Sequence, residues 1–252
     1  MRLALLAPLI LLAACAKPVE PTDAEIRAAV QVALADPARA DQVGNDARRK
    51  PLDLVAFSGV KRGDKVLDLI PGGGYWTRIF SLVVGPEGHV YGIWPQNYAR
   101  FSVGNVAGLR ALAKTPRFAN ISVEVQSTNV LASPEPLDLV WTSQNYHDYP
   151  AEFMGQSSPA VLNDAVFKLL KPGGTYVVID HAAAPGHGMR DIEPMHRVDP
   201  ETVKQQVTAA GFEFVGASDV LDNPADDRTR PVFDPAIRGH TDQFALKFRK
   251  PG

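Results

Sequence analysis

Histidines and carboxylates crowd into a few short stretches of this chain. Ser143-Gln144-Asn145-Tyr146-His147-Asp148 follows one apolar run and Asp180-His181 closes another, with His187, His196 and Arg197 shortly after. Imidazole titrates near neutrality, so His147 or His181 is equipped to take a proton from an acceptor group, with Asp148 at hand. A loop histidine also serves simply to satisfy backbone groups, and residue type alone does not separate the two uses. His181, His187 and His196 are metal-ligand types, but their spacing matches no fixed ligand motif, so no metal is expected. The sequence offers no Ser-His-Asp order and no nucleophilic thiol, since its single cysteine is Cys15.

A second kind of chemistry is carried by backbone. Lys65–Thr77 opens with the apolar run Val66–Ile70, interrupted only by Asp68. It breaks at Pro71-Gly72-Gly73-Gly74 and resumes as Tyr75–Val84, which reads as a helix. Strand, glycine turn and helix is the layout of a nucleotide-binding crevice. A Cβ there would hold a ligand off the backbone, and the turn needs dihedrals that other residues resist. A purely structural turn has the same letters, so the motif needs support from its surroundings. Upstream, Arg48 and Arg49 are within reach of an anionic ligand, although a solvated linker is the preferred reading of Asn45–Pro51.

The elements that must position these groups alternate. Strands are expected at Val66–Ile70, His89–Trp94, Ile121–Val125, Leu137–Thr142, Thr175–Asp180, Phe212–Val215 and Gln243–Phe248. Helices are expected at Tyr75–Val84, Val103–Ala113, Pro159–Leu170 and from Asp199 to near Gly211. Repeated βα units imply a parallel sheet covered on both faces. The last two strands lack a helix between them and should pair as an antiparallel edge. Ligands of open α/β sheets lie beyond the carboxyl ends of the strands. The histidine-rich loops and the Pro- and charge-rich stretch Asp222–His240 should therefore gather over the glycine turn. Ahead of all this, Thr22-Asp-Ala-Glu25 has capping-box spacing, and Ile26, Val30 and Leu34 follow at helical spacing.

Composition bounds the class. With 252 residues, 45% hydrophobic and 21% charged, the chain can bury the core of a single α/β unit. A net charge of −2 gives no global electrostatic reason to expect nucleic acid. Arg2, the apolar Leu3–Leu12 and then Leu12-Ala13-Ala14-Cys15 look like a bacterial lipoprotein leader. The stretch is too short to span a bilayer. The expected division is a signal peptide at 1–14, a lipidated tether at 15–21, a helical segment at 22–44 and the main domain at 45–252. The protein would be anchored in a membrane through acylated Cys15 and face the periplasm.

The order and spacing of Val66-Leu-Asp-Leu, Gly72-Gly-Gly, Asp138-Leu-Val-Trp and Leu170-Lys-Pro-Gly-Gly174 resembles the class I S-adenosylmethionine-dependent methyltransferases. More narrowly it is similar to a group of methyltransferases marked by a Pro-Gly-Gly-Gly-Tyr turn and an Asn-Tyr-His-Asp segment. The resemblance implies a Rossmann-like α/β fold with a mostly parallel seven-stranded sheet, an antiparallel last strand and helices on both faces. It implies S-adenosylmethionine as cofactor, held by Asp68, Pro71, Gly72, Gly73, Gly74, Tyr75, Trp94 and Asn145. A small-molecule acceptor would meet His147, Asp148 and His181.

Three positions depart from the family pattern. Ile70 stands where a glycine follows the Asp-Leu pair, and a β-branched residue resists positive φ, so Gly72–Gly74 should carry the turn. Trp94 replaces the carboxylate that binds the ribose hydroxyls, offering a ring to stack on instead. Thr128-Asn129 replace the acidic residue that meets the adenine amino group. The pocket is therefore unusual, or the fold has become an exported binding module with another ligand. A histidine- or metal-assisted hydrolase is a third reading.

Overall fold

The computed structural model describes residues 20–252. The leader, Cys15 and most of the tether lie outside the described residues.

The first helix, α1 (Asp23–Leu34), begins with the expected capping box: the Thr22 hydroxyl accepts from the Glu25 N–H, and the Glu25 carboxylate accepts from the Thr22 N–H. Next come α2 (Asp46–Arg49), α3 (Pro51–Ser58), β1 (Lys65–Leu69), α4 (Tyr75–Val84), β2 (His89–Pro95), α5 (Gln96–Ala99) and α6 (Val103–Ala113). The chain continues through β3 (Ile121–Gln126), β4 (Leu137–Ser143), α7 (Pro159–Leu169), β5 (Leu170–His181), α8 (Ile192–Met195) and α9 (Pro200–Ala209). It ends with β6 (Glu213–Ser218) and β7 (Gln243–Arg249).

The seven strands form one sheet in the order β3-β2-β1-β4-β5-β7-β6. The first five are parallel, and β7 runs antiparallel to both of its neighbours. The last two strands pair as expected, but β7 is inserted between β5 and β6, which leaves β6 at the edge. β5 starts at Leu170 rather than Thr175, because Leu170 already pairs with Leu137 across a register shift.

Alternation along the strands sorts side chains onto two faces. Leu67, Leu69, Val140, Tyr176 and Val178 pack with Val106 and Leu109 of α6, Val166 of α7 and Val203 of α9. Val66, Leu139, Trp141, Val177 and Ile179 pack with α1, α3 and α4 through Val30, Leu54, Ile79 and Phe80. Within the segment 22–44, α1 packs on the main domain and lends Val30 and Ala33 to this layer of the core.

The turn after β1 corrects the sequence reading. Ile70 does take the left-handed conformation, with φ +55°, as do Gly72 at +56° and Gly74 at +74°. Its N–H donates to the Ile93 carbonyl at 2.8 Å, and its side chain is buried. Packing and this bond hold a conformation that costs a non-glycine residue roughly 1–2 kcal/mol. The turn starts at the family position after all, with Ile70 in glycine's place.

The glycines of the turn are not equivalent. A Cβ on Gly74 would meet Leu109 Cδ1 at 2.7 Å, whereas one on Gly73 would meet nothing within 4 Å. Gly74→Ala should lower unfolding free energy by about 1–3 kcal/mol, through positive φ and the clash with α6. Gly73→Ala should stay within ~0.5 kcal/mol of the parent. Urea denaturation of the two variants checks this contrast.

Candidate active site

Beyond the carboxyl ends of β1, β4 and β5 lies a cavity of about 520 Å³. One wall is the turn itself, Ile70–Gly73, with Asp68 and Arg49 behind it. Tyr98, Phe101 and Phe153 form an aromatic side, and Val232 and Phe233 come from the segment after β6, with Phe233 packed against the His196 ring. The rim is Ser143–Asn145, His147, Asp148, His181 and His196.

His147 is the most constrained of these groups. It is only 3% exposed; its backbone N–H donates to Asp180 Oδ2 at 2.9 Å and its Nδ1 pairs with Asp180 Oδ1 at 2.8 Å. Its Nε2 lies 3.2 Å from Asp148 Oδ1 and 3.3 Å from His196 Nδ1. Burial alone would lower its pKa, but the Asp180 and Asp148 carboxylates outweigh burial and raise it to about 10. His147 is therefore a buried, hydrogen-bonded ring whose charged form the two carboxylates favour, and not the exposed loop group expected from the sequence. Asp148 is likewise buried; burial pushes its carboxyl up, and the charge and hydrogen bonds of His147 bring it below its ordinary value.

His181 behaves differently. Its Nδ1 pairs with Thr241 Oγ1 at 2.8 Å, and it lines the cavity. Burial outweighs the neighbouring Asp180 carboxylate and lowers its pKa to about 4, so the ring is neutral near neutrality. Of the two rings expected to be bases, this is the one held neutral.

At the other end, Asp68 is buried and accepts from the Thr77 hydroxyl at 2.6 Å. Burial raises its pKa to about 7, with Thr77 and Arg49 pulling it back. Arg49 lies over Tyr75, its guanidinium carbon 4.8 Å from the ring centroid, and its Nε is buried without a partner. Arg49 is thus part of the cavity wall and not of a solvated linker, whereas Arg48 is exposed.

The turn is braced from behind by the N-terminal segment. Gln42 Nε2 donates to the Gly73 carbonyl at 3.2 Å. The Tyr75 hydroxyl donates to Asp46 Oδ1 at 2.6 Å, and fully buried Arg39 donates to the same oxygen at 2.7 Å. Asn145 Nδ2 donates to the Ser143 carbonyl at 2.6 Å and reaches the Ile70 carbonyl at 3.4 Å, so it ties the β4 loop to the turn.

Other residues singled out in the sequence fall elsewhere. Trp94 is fully buried within the core on the α6 and α7 face and does not line the cavity, so it is not a stacking surface for a ligand. Near the end of β2 strict alternation gives way: Ile93 and Trp94 both join the same apolar layer, and the tryptophan is drawn into it. His187 pairs with Asp191 at 2.6 Å in its own loop, and His240 is exposed. Arg197 is buried in an ion pair with Asp226 at 2.8 Å and donates to the Ala182 carbonyl at 3.0 Å. That pair fastens the segment after β6, which brings Val232 and Phe233 to the cavity. Arg49, Asp180 and His196 belong to the site, although the sequence names them without committing any of them to it. Arg49 reads there as a linker charge and His196 as one of three histidines without a ligand motif, and Asp180 stands next to His181 at a strand end.

No family model matches the chain. A stretch of 40 residues, 16% of the chain, is 48% identical to the protein-L-isoaspartate O-methyltransferase of Ignicoccus hospitalis and covers 19% of it. Over 130 residues, 50% of the chain, identity is 29% to the ubiquinone/menaquinone biosynthesis C-methyltransferase of Stutzerimonas stutzeri, 45% of which is matched. The chain spans less than half the length of both curated relatives. A solved S-adenosylmethionine-dependent methyltransferase from Aquifex aeolicus shares the fold with a TM-score of 0.55 at 18% identity, over 90% of this chain and 98% of that one.

Two stability measurements follow from this geometry. His147→Ala removes a buried group with charged partners and should cost ~1–3 kcal/mol or more, where an exposed rim histidine would cost within about 0.5. Asp68 titrates near 7 in the folded chain against an ordinary 3.8. Its stabilising contribution is thus complete below about pH 4 and is lost as pH rises toward about 7. Asp68→Asn, which can still accept from Thr77, should flatten the decline over that window. Chemical denaturation at several pH values reads both effects.

Proposed function

Because the chain has the fold of the class I S-adenosylmethionine-dependent methyltransferases, we propose that it transfers a methyl group from S-adenosylmethionine to a small-molecule acceptor in this cavity. The observation that carries the proposal is the Ile70–Gly73 backbone, open to the cavity between a buried carboxylate and a histidine rim.

The residues present suit the amino-acid end of the cofactor. Asp68 complements the cationic ammonium and sulfonium, and the unpartnered Arg49 Nε complements the carboxylate. The nucleoside end must be held differently from the family pattern, because no carboxylate from the end of β2 lines the cavity. Tyr98, Phe101 and Phe153 supply ring faces for the adenine, and Ser102 a hydroxyl for the ribose.

When bound, the cofactor supplies an electrophilic methyl group. The chain's own part is alignment, exclusion of water and proton handling. The aromatic side and Phe233 narrow the approach. The pair His147 and Asp148 fixes the acceptor end through its hydrogen bonds. His181, neutral and braced by Thr241, receives the acceptor's proton where one must leave.

The same proposal places this domain on a membrane through acylated Cys15, facing the periplasm, on the strength of the Leu12-Ala13-Ala14-Cys15 motif. Among the described residues no helix is long and apolar enough to cross a membrane.

Calorimetry should show saturable binding of S-adenosylmethionine and S-adenosylhomocysteine. Gly73→Val should weaken it more than about tenfold, equivalent to 1.4 kcal/mol, while the thermal unfolding transition persists. A protein that binds neither compound would overturn the assignment. Cys15→Ser should abolish lipid labelling and processing in cells; undiminished labelled, processed product would remove the anchor from the proposal.

A further inference from the structure

We propose that His147 Nε2, His196 Nδ1 and one carboxylate oxygen of Asp148 form a binding site for a divalent first-row transition-metal ion in the cavity. The three atoms lie within 4.8 Å of one another. Their separations are 3.2 Å (His147 to Asp148), 3.3 Å (His147 to His196) and 3.8 Å (His196 to Asp148). Bonds of about 2.0–2.1 Å at tetrahedral angles put neighbouring donors roughly 3.3 Å apart. The donors therefore already stand close to the edges of a coordination polyhedron, and a cation between them would need only small shifts.

The surroundings are those of a ligand set and not of a chance cluster. Asp180, fully buried, engages His147 Nδ1 at 2.8 Å, so that nitrogen keeps its proton; a cation arriving between the donors displaces the proton on His147 Nε2 and takes up the lone pair that faces Asp148 and His196. A carboxylate behind a ligating histidine is the usual outer shell of such sites. His196 is held at φ +53° just past α8, a left-handed conformation that a histidine adopts at a cost, and its ring packs edge-on against Phe233 at 4.9 Å. All three ligands line the cavity, so the remaining coordination positions open toward it. Two imidazoles and one carboxylate favour zinc or a neighbouring transition metal over magnesium or calcium.

The trio differs from His181, His187 and His196, the set that residue type alone offers and whose spacing matches no ligand motif. His181 gives its Nδ1 to Thr241 and His187 pairs with Asp191, and neither belongs to the set. The site does not depend on the methyl-transfer reading, since the donors converge whatever else the cavity binds.

The test uses the full-length protein stripped with chelator and titrated with Zn2+ by calorimetry, with Co2+ as a spectroscopic stand-in. One ion should bind per chain, and Co2+ should give visible d–d absorption of a low-coordinate N/O site without thiolate bands. His196→Gln should weaken Zn2+ at least about 100-fold. Asp180→Asn, as a positioning change, should weaken it roughly 10–100-fold. His187→Ala should leave it unchanged. No saturable Zn2+ or Co2+ binding to the parent, or binding unchanged in folded His196→Gln, would overturn the proposal. Since the parent measurement needs no variant, misfolding of a variant cannot shelter the idea. Loss of S-adenosylmethionine binding with metal binding intact would count against the function proposed above and not against this site.

Discussion

The candidate site hangs on one buried carboxylate. Asp180, at the end of β5, accepts the His147 N–H at 2.9 Å, His147 Nδ1 at 2.8 Å and the His181 N–H at 2.8 Å. A carboxylate out of water is costly unless its oxygens are well bonded, so the partners cannot drift without a large penalty. In meeting that requirement Asp180 joins the loop after β4 to the end of β5 and fixes the imidazole of His147 in one orientation. The position of Asp148 and its approach to His196 follow from that orientation.

A second constraint is backbone strain gathered on the same rim. Ile70, Gln144 and His196 all have positive φ, at 55°, 64° and 53°. Each is over-determined by neighbours: Ile70 by the bond to Ile93, Gln144 by its N–H to the Ile179 carbonyl at 2.8 Å, and His196 by its N–H to the Ile192 carbonyl at 3.2 Å. Strain of this kind persists where the surrounding structure insists on it, and these three positions line the cavity. The N-terminal segment contributes to that insistence through Gln42, Arg39 and Asp46, which grip the glycine turn and Tyr75 from behind.

The cavity is also asymmetric. One end holds a buried acidic side chain and a guanidinium, both set by β1 and the helices around it. Toward β2 the wall is apolar, with Trp94 given over to the core and aromatic side chains of α5 and its flanks facing the cavity. Polar groups gather at the histidine rim, where His147 Nε2 lies 3.2 Å from Asp148 and 3.3 Å from His196.

Much of this was legible in the letters. Period-two apolar runs, the Gly72–Gly74 break and the Thr22 capping box are local signals, and local sterics and hydrogen bonding determine them. The alternation of strand and helix likewise implied a parallel sheet with its loops at one edge, because crossovers have a fixed hand. Tertiary structure alone decided which side chains of those loops turn inward. His147 and His181 look equivalent as letters, yet one lies between two carboxylates and the other beside a hydroxyl, so their protonation is opposite. Arg49 looked like a linker charge until α2 laid it over Tyr75, and Ile70 looked unable to begin the turn until its burial outweighed its strain. Ionisation, burial and left-handed backbone depend on neighbours tens of residues away in sequence, and such neighbours exist only once the chain has folded.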